Sequence, residues 1–400
     1  IENILWSEDI INAIKCLRKL GIKITLDKNK CYVYGQGING FRYKKNIVLN
    51  AGNSGTFARL ILGLLVKSPN YVKLTGDKSL SKRDFERVIS PLQKIGASFV
   101  VNNKKTLPLK IKGSDFVNPI HYIEKRGSAQ CKSTVMLAAL NSPGKTIIKA
   151  KKSRDHTENI FRYLRIPIFV KKKELTDEIV IKGQKSFKAF KYEIPSDPSS
   201  CAFFIVLTLL SKNSELKIKN VNINESRIGF IKVLNKMGAK IKMMNTKKKV
   251  GEKQADIYVK SQSKLKKINC SPKLTSNLID EFLIIFLVAA KANGISYFKN
   301  LSELNQKESP RLLWGAKILK KMGIKTILTK DSIKIYGNPN LKIRNNIVIK
   351  NFLSDHRIFM SSVVAGLSFG GNWKIYDKNS INTSFPTFMN RIKELGAKIN

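Results

Sequence analysis

No apolar run in this chain approaches the roughly 18 residues that a membrane-spanning helix requires. The longest, at 282–290, is followed at once by Lys291. No pattern of a basic stretch, an apolar core and a small-residue cleavage site opens the chain, so a secretory leader is not expected in it. Cysteine is sparse and unpatterned. Cys16, Cys31, Cys131, Cys201 and Cys270 form no CxxC pair, and their number is odd. A disulfide framework or a structural zinc site is therefore not expected, and a reducing cytoplasm suits the chain better.

Acidic residues are also scarce, 28 against 74 Lys and Arg, for a formal net charge of +46. A cationic excess gathered on one face marks a nucleic-acid binder. Here the excess is mostly lysine, dispersed along the whole length of a sequence also rich in Ile and Asn. That pattern reads as solvated faces rather than a nucleic-acid surface, although such a field also draws in small anions. With 400 residues and 42% hydrophobic composition, the chain can bury two or more cores.

What the sequence has in quantity is a degenerate repeat. An amphipathic helix runs into a glycine and then a strand at 11–24, 88–100, 230–243, 315–328 and 388–399, and a weaker copy at 160–170 lacks the glycine. Gly21, Gly96, Gly238, Gly323 and Gly396 fall where a helix end needs the left-handed conformation. Between these copies lie strand-like runs (CYVYG, PLKIKG, EIVIKG, ADIYVKS, SIKIYG) and a second, nearly all-apolar helix type such as DEFLIIFLVAA. Uniform apolarity predicts buried helices, and their polar first turns are able to aim positive dipole ends at one shared cleft. Six α/β units suggest two domains, 1–195 and 196–400, divided at the Pro/Ser/Asp-rich EIPSDPSS.

Two motif matches fail on context. Gly35, Gly37 and Gly40 satisfy GxGxxG, but strand and turn follow where a dinucleotide site needs a helix. GSAQCKS has Cys131 where a P-loop needs glycine before its lysine.

Several segments carry chemistry of their own. LNAGNSGTFARL (49–60) is a Gly/Asn/Ser turn feeding an apolar helix, whose backbone N–H groups suit an anion. GDKSLSKRDFERV (76–88) sets Arg83 and Arg87 after a polar turn. SAQCKS (128–133) opens a buried helix, and SRDHTE (153–158) packs Arg, Asp and His. Asp280 and Glu281 begin the most apolar helix, where an acid's pKa is open to tuning. Lys307, Glu308 and Arg311 fall within one turn, a spacing that also describes ordinary surface pairs. Arg357 sits at a helix start, a poor place for a cation but a good one for binding an anion.

Taken in order, GNSGTxxR, GDxSLxxR, SAQxKS, SRDHTE, DE, KESxxR, DHRxxM and SFP closely resemble the EPSP synthase family of enolpyruvyl transferases over essentially the whole chain. The resemblance implies an α/β, two-domain enolpyruvyl transferase-like fold. Each domain would hold three βαβαββ units in an inside-out α/β barrel, with the active site in the interdomain cleft. It implies transfer of the enolpyruvyl group of phosphoenolpyruvate to the 5-hydroxyl of shikimate 3-phosphate, with release of phosphate and without metal or organic cofactor. Gly55, Arg83, Gln130, Arg311 and Arg357 match the phosphoenolpyruvate site, since guanidinium forks suit its anionic groups. Ser128, Ala129, Gln130, Ser153, Arg154, Asp280 and Lys307 match the shikimate 3-phosphate site. Asp280 matches the acid that accepts the hydroxyl proton, and Glu308 the acid that exchanges a proton with the methylene carbon. Gly55 without a side chain implies sensitivity to glyphosate. A monomer with no membrane or nucleic-acid partner is expected.

Some departures stand out. The family's opening Lys-Ser-x-Ser-x-Arg segment does not precede ENILWSEDI, and the first residue is Ile1. The sequence is therefore expected to start after that segment, to lack part of the active site and a strand of the second domain, and to be inactive as it stands. Asp84, Ser196, Phe282, Leu283, Pro310 and Thr383 replace residues more usual at their positions. Two rival readings remain. One is a sibling transferase acting on UDP-N-acetylglucosamine, which would carry a reactive Cys in a flexible loop, whereas Cys131 opens an apolar helix as a small hydrophobe would. The other is a basic binding protein that kept the fold and lost the chemistry.

Overall fold

The computed structural model describes residues 1–183 and 186–399. The chain divides into two compact units, Ile1–Ile194 and Pro195–Asn400.

The first unit runs α1 (Glu8–Lys19), β1 (Lys23–Asp27), β2 (Lys30–Tyr34), β3 (Val48–Asn50), α2 (Gly55–Leu64), β4 (Val72–Thr75), α3 (Glu86–Ile95), β5 (Ser98–Val101), β6 (Leu109–Lys112), β7 (His121–Glu124), α4 (Ala129–Ala139), β8 (Lys145–Lys151), α5 (His156–Tyr163), β9 (Ile168–Lys172) and β10 (Thr176–Lys182). Two stretches, β3 to β6 and β7 to β10, are complete βαβαββ repeats. Each makes a four-stranded sheet, ordered β3-β4-β6-β5 and β7-β8-β10-β9. In both, the first pair is parallel and the later pairs are antiparallel. The parallel pair needs a crossover, which the apolar helix supplies, and short turns suffice for the rest. The hairpin β1–β2 stands apart as a third, antiparallel sheet.

The second unit runs α6 (Pro198–Leu210), β11 (Glu215–Asn222), α7 (Gly229–Lys236), β12 (Lys240–Lys249), β13 (Glu252–Lys260), α8 (Phe282–Lys291), β14 (Gly294–Phe298), α9 (Arg311–Lys321), β15 (Thr326–Leu328), β16 (Ile333–Gly337), β17 (Asn346–Ile349), α10 (His356–Phe369), β18 (Asn372–Ile375) and α11 (Phe388–Glu394). Its sheets are β11-β13-β12, β14-β16-β15 and the parallel pair β17-β18. The opening strand of the first two repeats shrinks to isolated parallel bridges, Ser196 to Val221 and Asn269 to Tyr297. Pro195 and Pro198 flank the first of these, and proline cannot extend a ladder.

Two helix types, legible as sequence patterns, have different structural roles. The amphipathic α1, α3, α7, α9 and α11 each end within one or two residues of a glycine at φ between +79° and +120°. In the copy without glycine, Arg165 takes φ +56° instead, at a cost of about 1–2 kcal/mol for a residue with a Cβ. The apolar helices lie inside. Every residue of α8 from Phe282 to Ala290 is buried, and α6, α8 and α10 pack on one another. In the first unit α2 lies against α4, so closely that a Cβ on Gly63 would come within 2.3 Å of the Thr134 carbonyl oxygen. With helices at the centre and sheets around them, the first turns of the buried helices are the natural places for polar side chains.

Candidate active site

In the first unit the N-termini of α2 and α4 are joined side by side. Ser54 caps α2 by accepting from the Phe57 N–H, and Ser128 caps α4 by accepting from Cys131 N–H, the usual use of serine at that position. Gln130 bridges the two ends: its Nε2 donates to Thr56 Oγ1 at 2.8 Å, and its Oε1 accepts from Arg59 Nη1 at 2.8 Å. The turn before α2 is folded onto the turn after β4. Asn53 Nδ2 donates to Asp77 Oδ2 at 2.6 Å, and Leu80 N–H donates to Asp77 Oδ1 at 2.7 Å. This brings Arg83 over the start of α2. A Cβ on Gly55 would stand 2.9 Å from Arg83 Nη1 and 3.0 Å from Arg59 Nη1.

Arg59 lies over the Phe85 ring and donates to the Asp84 carbonyl oxygen at 3.3 Å. Burial, together with repulsion from Arg83 and Arg87, lowers its pKa. Three guanidinium groups gathered beside a helix N-terminus make a cationic hollow suited to an anion.

Ser153 and Arg154 form the turn between β8 and α5. Among the described residues Ser153 Oγ is buried with no hydrogen-bond partner, while the Arg154 carbonyl oxygen accepts from Lys132 on α4. Ahead of Ser128, Glu124 accepts from the Arg126 and Gly127 N–H groups at 3.1 and 2.6 Å and so shapes the approach to α4.

The second unit gathers the starts of α6, α8, α9 and α10 around one ionic cluster. Arg311, the first residue of α9, is only 2% exposed, and three carboxylates surround it. Its Nε donates to Asp355 Oδ2 at 2.8 Å, its Nη1 to Asp280 Oδ1 at 3.1 Å, and its Nη2 to Glu308. Lys307 Nζ lies 3.2 Å from the same Asp280 oxygen. Arg357 Nη1 donates to the Asp280 carbonyl oxygen at 3.0 Å and stands 4.0 Å from Glu281. Asp355, fully buried, caps α10 through the Arg357 N–H and also accepts from Ser309 Oγ at 2.8 Å. Burial opposes the charge of Arg311, but Asp355, Glu308 and Asp280 outweigh it and raise the pKa.

A supporting layer lies behind. Ser199 donates to Glu281, and Arg227 Nη2 donates to Ser199 Oγ and to Asp197 Oδ1 at 2.8 and 2.7 Å. Burial and the adjacent Asp280 push the Glu281 carboxyl up, against the pull of Arg357 and Arg227.

His356 sits between Asp355 and Arg357. Burial, and then the Arg357 charge, push it down to about 4. The unfolded chain takes up this proton below about pH 6.5 while the folded chain refuses it, so stability falls as pH drops from about 6.5 towards 4. The expected loss is about 2 kcal/mol, and His356→Asn abolishes it. Denaturant midpoints for both proteins at pH 7 and pH 5 check this; parallel losses would sink it.

The sequence-derived candidates thus fall into two sets. Gly55, Arg83, Ser128, Ala129, Gln130, Ser153 and Arg154 lie at neighbouring helix starts and one turn of the first unit. Asp280, Lys307, Glu308, Arg311 and Arg357 share one hydrogen-bonded cluster of the second. The surface-pair alternative for KESPR fails, because Arg311 is enclosed. Sequence reasoning singled out Glu281 as an acid open to tuning but gave it no substrate role, left out Arg59 and Asp355 as site groups, and did not find Arg227. Helical spacing puts Arg59 one turn after Gly55 and so held a signal for it; Arg227 lies in a loop with no periodic signal. No cluster of His, Cys, Asp and Glu suited to a metal occurs among the described residues.

Comparison with known proteins fits this arrangement. The family model of EPSP synthase (3-phosphoshikimate 1-carboxyvinyltransferase) matches residues 1–392. The 3-phosphoshikimate 1-carboxyvinyltransferase of Ruthia magnifica is 40% identical over 100% of this chain and 90% of its own length. That of Petrotoga mobilis is 39% identical over 97% of this chain and 89% of its own length. The crystal structure of EPSP synthase from Acinetobacter baumannii superposes with a TM-score of 0.86 at 33% identity, covering 99% of this chain and 89% of that one. An enolpyruvyl transferase from Streptomyces tendae shares the fold, at 14% identity and a TM-score of 0.77. With polar clusters built at the helix starts of each unit, an enolpyruvyl transferase fold and likeness to these relatives along nearly the whole chain, the chain belongs to the EPSP synthase family.

Proposed function

We propose that the protein transfers the enolpyruvyl group of phosphoenolpyruvate to the 5-hydroxyl of shikimate 3-phosphate, giving 5-enolpyruvylshikimate 3-phosphate and phosphate in aromatic amino acid biosynthesis. The observation that carries this reading is the Arg311 cluster, in which two acids able to move protons, Asp280 and Glu308, share cations suited to a carboxylate or phosphate.

Arg311 and Arg357 in the second unit, and Arg83 and Gln130 in the first, are each suited to phosphoenolpyruvate through charge-assisted hydrogen bonds. Ser128, Ala129, Gln130, Ser153 and Arg154 hold the phosphate of the acceptor, and Lys307 its hydroxyls. As the 5-hydroxyl attacks C2 of phosphoenolpyruvate, Asp280 takes its proton while Glu308 gives one to the methylene carbon. The product is a tetrahedral adduct bearing a methyl group. Glu308 then takes a proton back from the methyl, and the C2–O bond to phosphate breaks. Proton balance returns the Asp280 proton to the departing phosphate. When the carboxylate of phosphoenolpyruvate occupies Arg311, it replaces Glu308 on the guanidinium and frees that acid for its task.

The UDP-N-acetylglucosamine alternative finds no support in Cys131. Its thiol is buried at the start of α4, and burial pushes its pKa up, the opposite of a reactive cysteine. All five cysteines are free and buried, which suits a reducing cytoplasm. No helix of the described residues is long and apolar enough to cross a membrane. A phosphate-release assay on the protein expressed from its whole gene, offering each acceptor in turn, tests the reading. Release with UDP-N-acetylglucosamine but not with shikimate 3-phosphate would overturn it.

Gly55 supports a specific expectation. A methyl at this position meets two guanidinium groups at about 3 Å, so Gly55→Ala shifts Arg83 and Arg59 by a few tenths of an ångström. The variant is expected to raise KM for phosphoenolpyruvate several-fold and to tolerate glyphosate better than the parent, which glyphosate inhibits. Unchanged inhibition curves for parent and variant would count against it.

A further inference from the structure

One ionic pair in the first unit has no role in the chemistry above. Lys132 and Glu158 are 1% and 2% exposed, yet they face each other with Nζ and Oε1 2.5 Å apart. Lys132 lies one turn into α4, just past Ser128, Ala129 and Gln130; Glu158 lies in the first turn of α5, just past Ser153 and Arg154. The same ammonium donates to the Arg154 carbonyl oxygen at 2.9 Å. Beside it, Ser133 Oγ and Thr157 Oγ1 share a hydrogen bond of 2.7 Å, a second tie between the same two helices.

A buried ion pair is a poor source of stability, since well-packed apolar residues of like volume serve as well or better. What apolar residues cannot supply is a donor for the Arg154 carbonyl. The pair fixes the Ser153–Arg154 turn at a set distance from the start of α4, and Ser153 Oγ is left buried with its hydrogen bonding unused.

We propose that Lys132 and Glu158 are positioning residues that hold the Ser153–Arg154 turn against the α4 N-terminus, and so set the affinity for the phosphate of the acceptor. This rests on the function proposed above, in which both segments grip that phosphate. The pair touches no substrate. Its effect is selective: it governs the acceptor and leaves phosphoenolpyruvate alone.

The test is the double variant Lys132→Met/Glu158→Leu, which removes both charges together and keeps the volume. Shikimate 3-phosphate binding by titration calorimetry and steady-state KM for each substrate are measured. The expected result is a rise of about tenfold or more in Kd and KM for shikimate 3-phosphate, with KM for phosphoenolpyruvate within about twofold of the parent. Parental affinity for shikimate 3-phosphate would overturn the proposal, and so would equal losses for both substrates, which mark general loosening. Should the double variant not fold, Lys132→Met/Glu158→Gln keeps a polar group at the Glu158 position and still removes the donor to the Arg154 carbonyl oxygen. A rise of about threefold in the same Kd alone supports the proposal, and no rise overturns it. A parent that does not bind shikimate 3-phosphate overturns the function along with the inference, whereas a parent that binds normally beside an unaffected variant overturns the inference alone.

Discussion

Arg311→Met is expected to lower the melting temperature by roughly 10 °C and to abolish measurable turnover. The guanidinium is buried among Asp355, Asp280 and Glu308. Removing it leaves like charges enclosed together with their chief counter-ion gone. Breaking a buried ionic group from one side costs about 3–5 kcal/mol, and each kcal/mol moves the midpoint of a unit this size by about 2–4 °C. Arg311→Lys separates the two roles. It restores a positive charge and much of the stability, but a point-like ammonium cannot reach Asp355, Asp280 and Glu308 through separate nitrogens or grip a carboxylate with two parallel bonds. Its melting temperature is expected to return to within a few degrees of the parent, while kcat/KM for phosphoenolpyruvate stays down by about 10²–10³. Differential scanning fluorimetry and phosphate release measure the two quantities. A lysine variant with parental kcat/KM would show that the fork does not hold substrate.

Glu308→Gln is expected to cut kcat by about 10²–10⁴, the usual worth of a positioned acid–base group, with KM for phosphoenolpyruvate unchanged or lower. The second half of this expectation is the sharper one. Glu308 occupies Arg311 Nη2, so it competes with an incoming carboxylate, and neutralising it removes the competitor. Stability should hold, because Asp355 and Asp280 still balance the guanidinium. The variant should also fail to wash solvent deuterium into the methylene of phosphoenolpyruvate. Parental kcat, or full deuterium wash-in, would remove Glu308 from the proton path and leave it as a structural partner of Arg311.

The fold was legible where local physics fixes it. The helix-glycine-strand copies carry their own stop signal, and positive φ at Gly21, Gly96, Gly238, Gly323 and Gly396 matches that signal in each. Uniform apolarity marked α8 as interior. The reduced opening strands at Ser196 and Asn269 were not legible, because a bridge of one residue pair has no periodicity to read. Among the candidate site residues, order and spacing singled out Asp280, Lys307, Glu308, Arg311 and Arg357, but spacing alone did not separate a solvated ion pair from an enclosed one. That distinction depends on burial, which tertiary packing decides. Arg227 and Asp355 escaped for a related reason: their importance lies in what they hold, Ser199 and Arg311, and those partners are 28 and 44 residues away. In sequence Lys132 lies within SAQCKS with no acid beside it, and only the fold puts Glu158 opposite it.

Placing α8 at the heart of the second unit has a consequence for how this enzyme ages and drifts. Asp280 and Glu281 are the two residues leading into a helix whose next nine side chains are all enclosed, with the Phe282 and Phe298 rings edge to face and Phe286 tilted against both. The interior and the proposed proton acceptor are therefore one mechanical part. If Asp280 accepts the hydroxyl proton as proposed, a change that lets those rings settle carries that acid with it, so damage deep in the hydrocarbon interior is expected to slow the reaction.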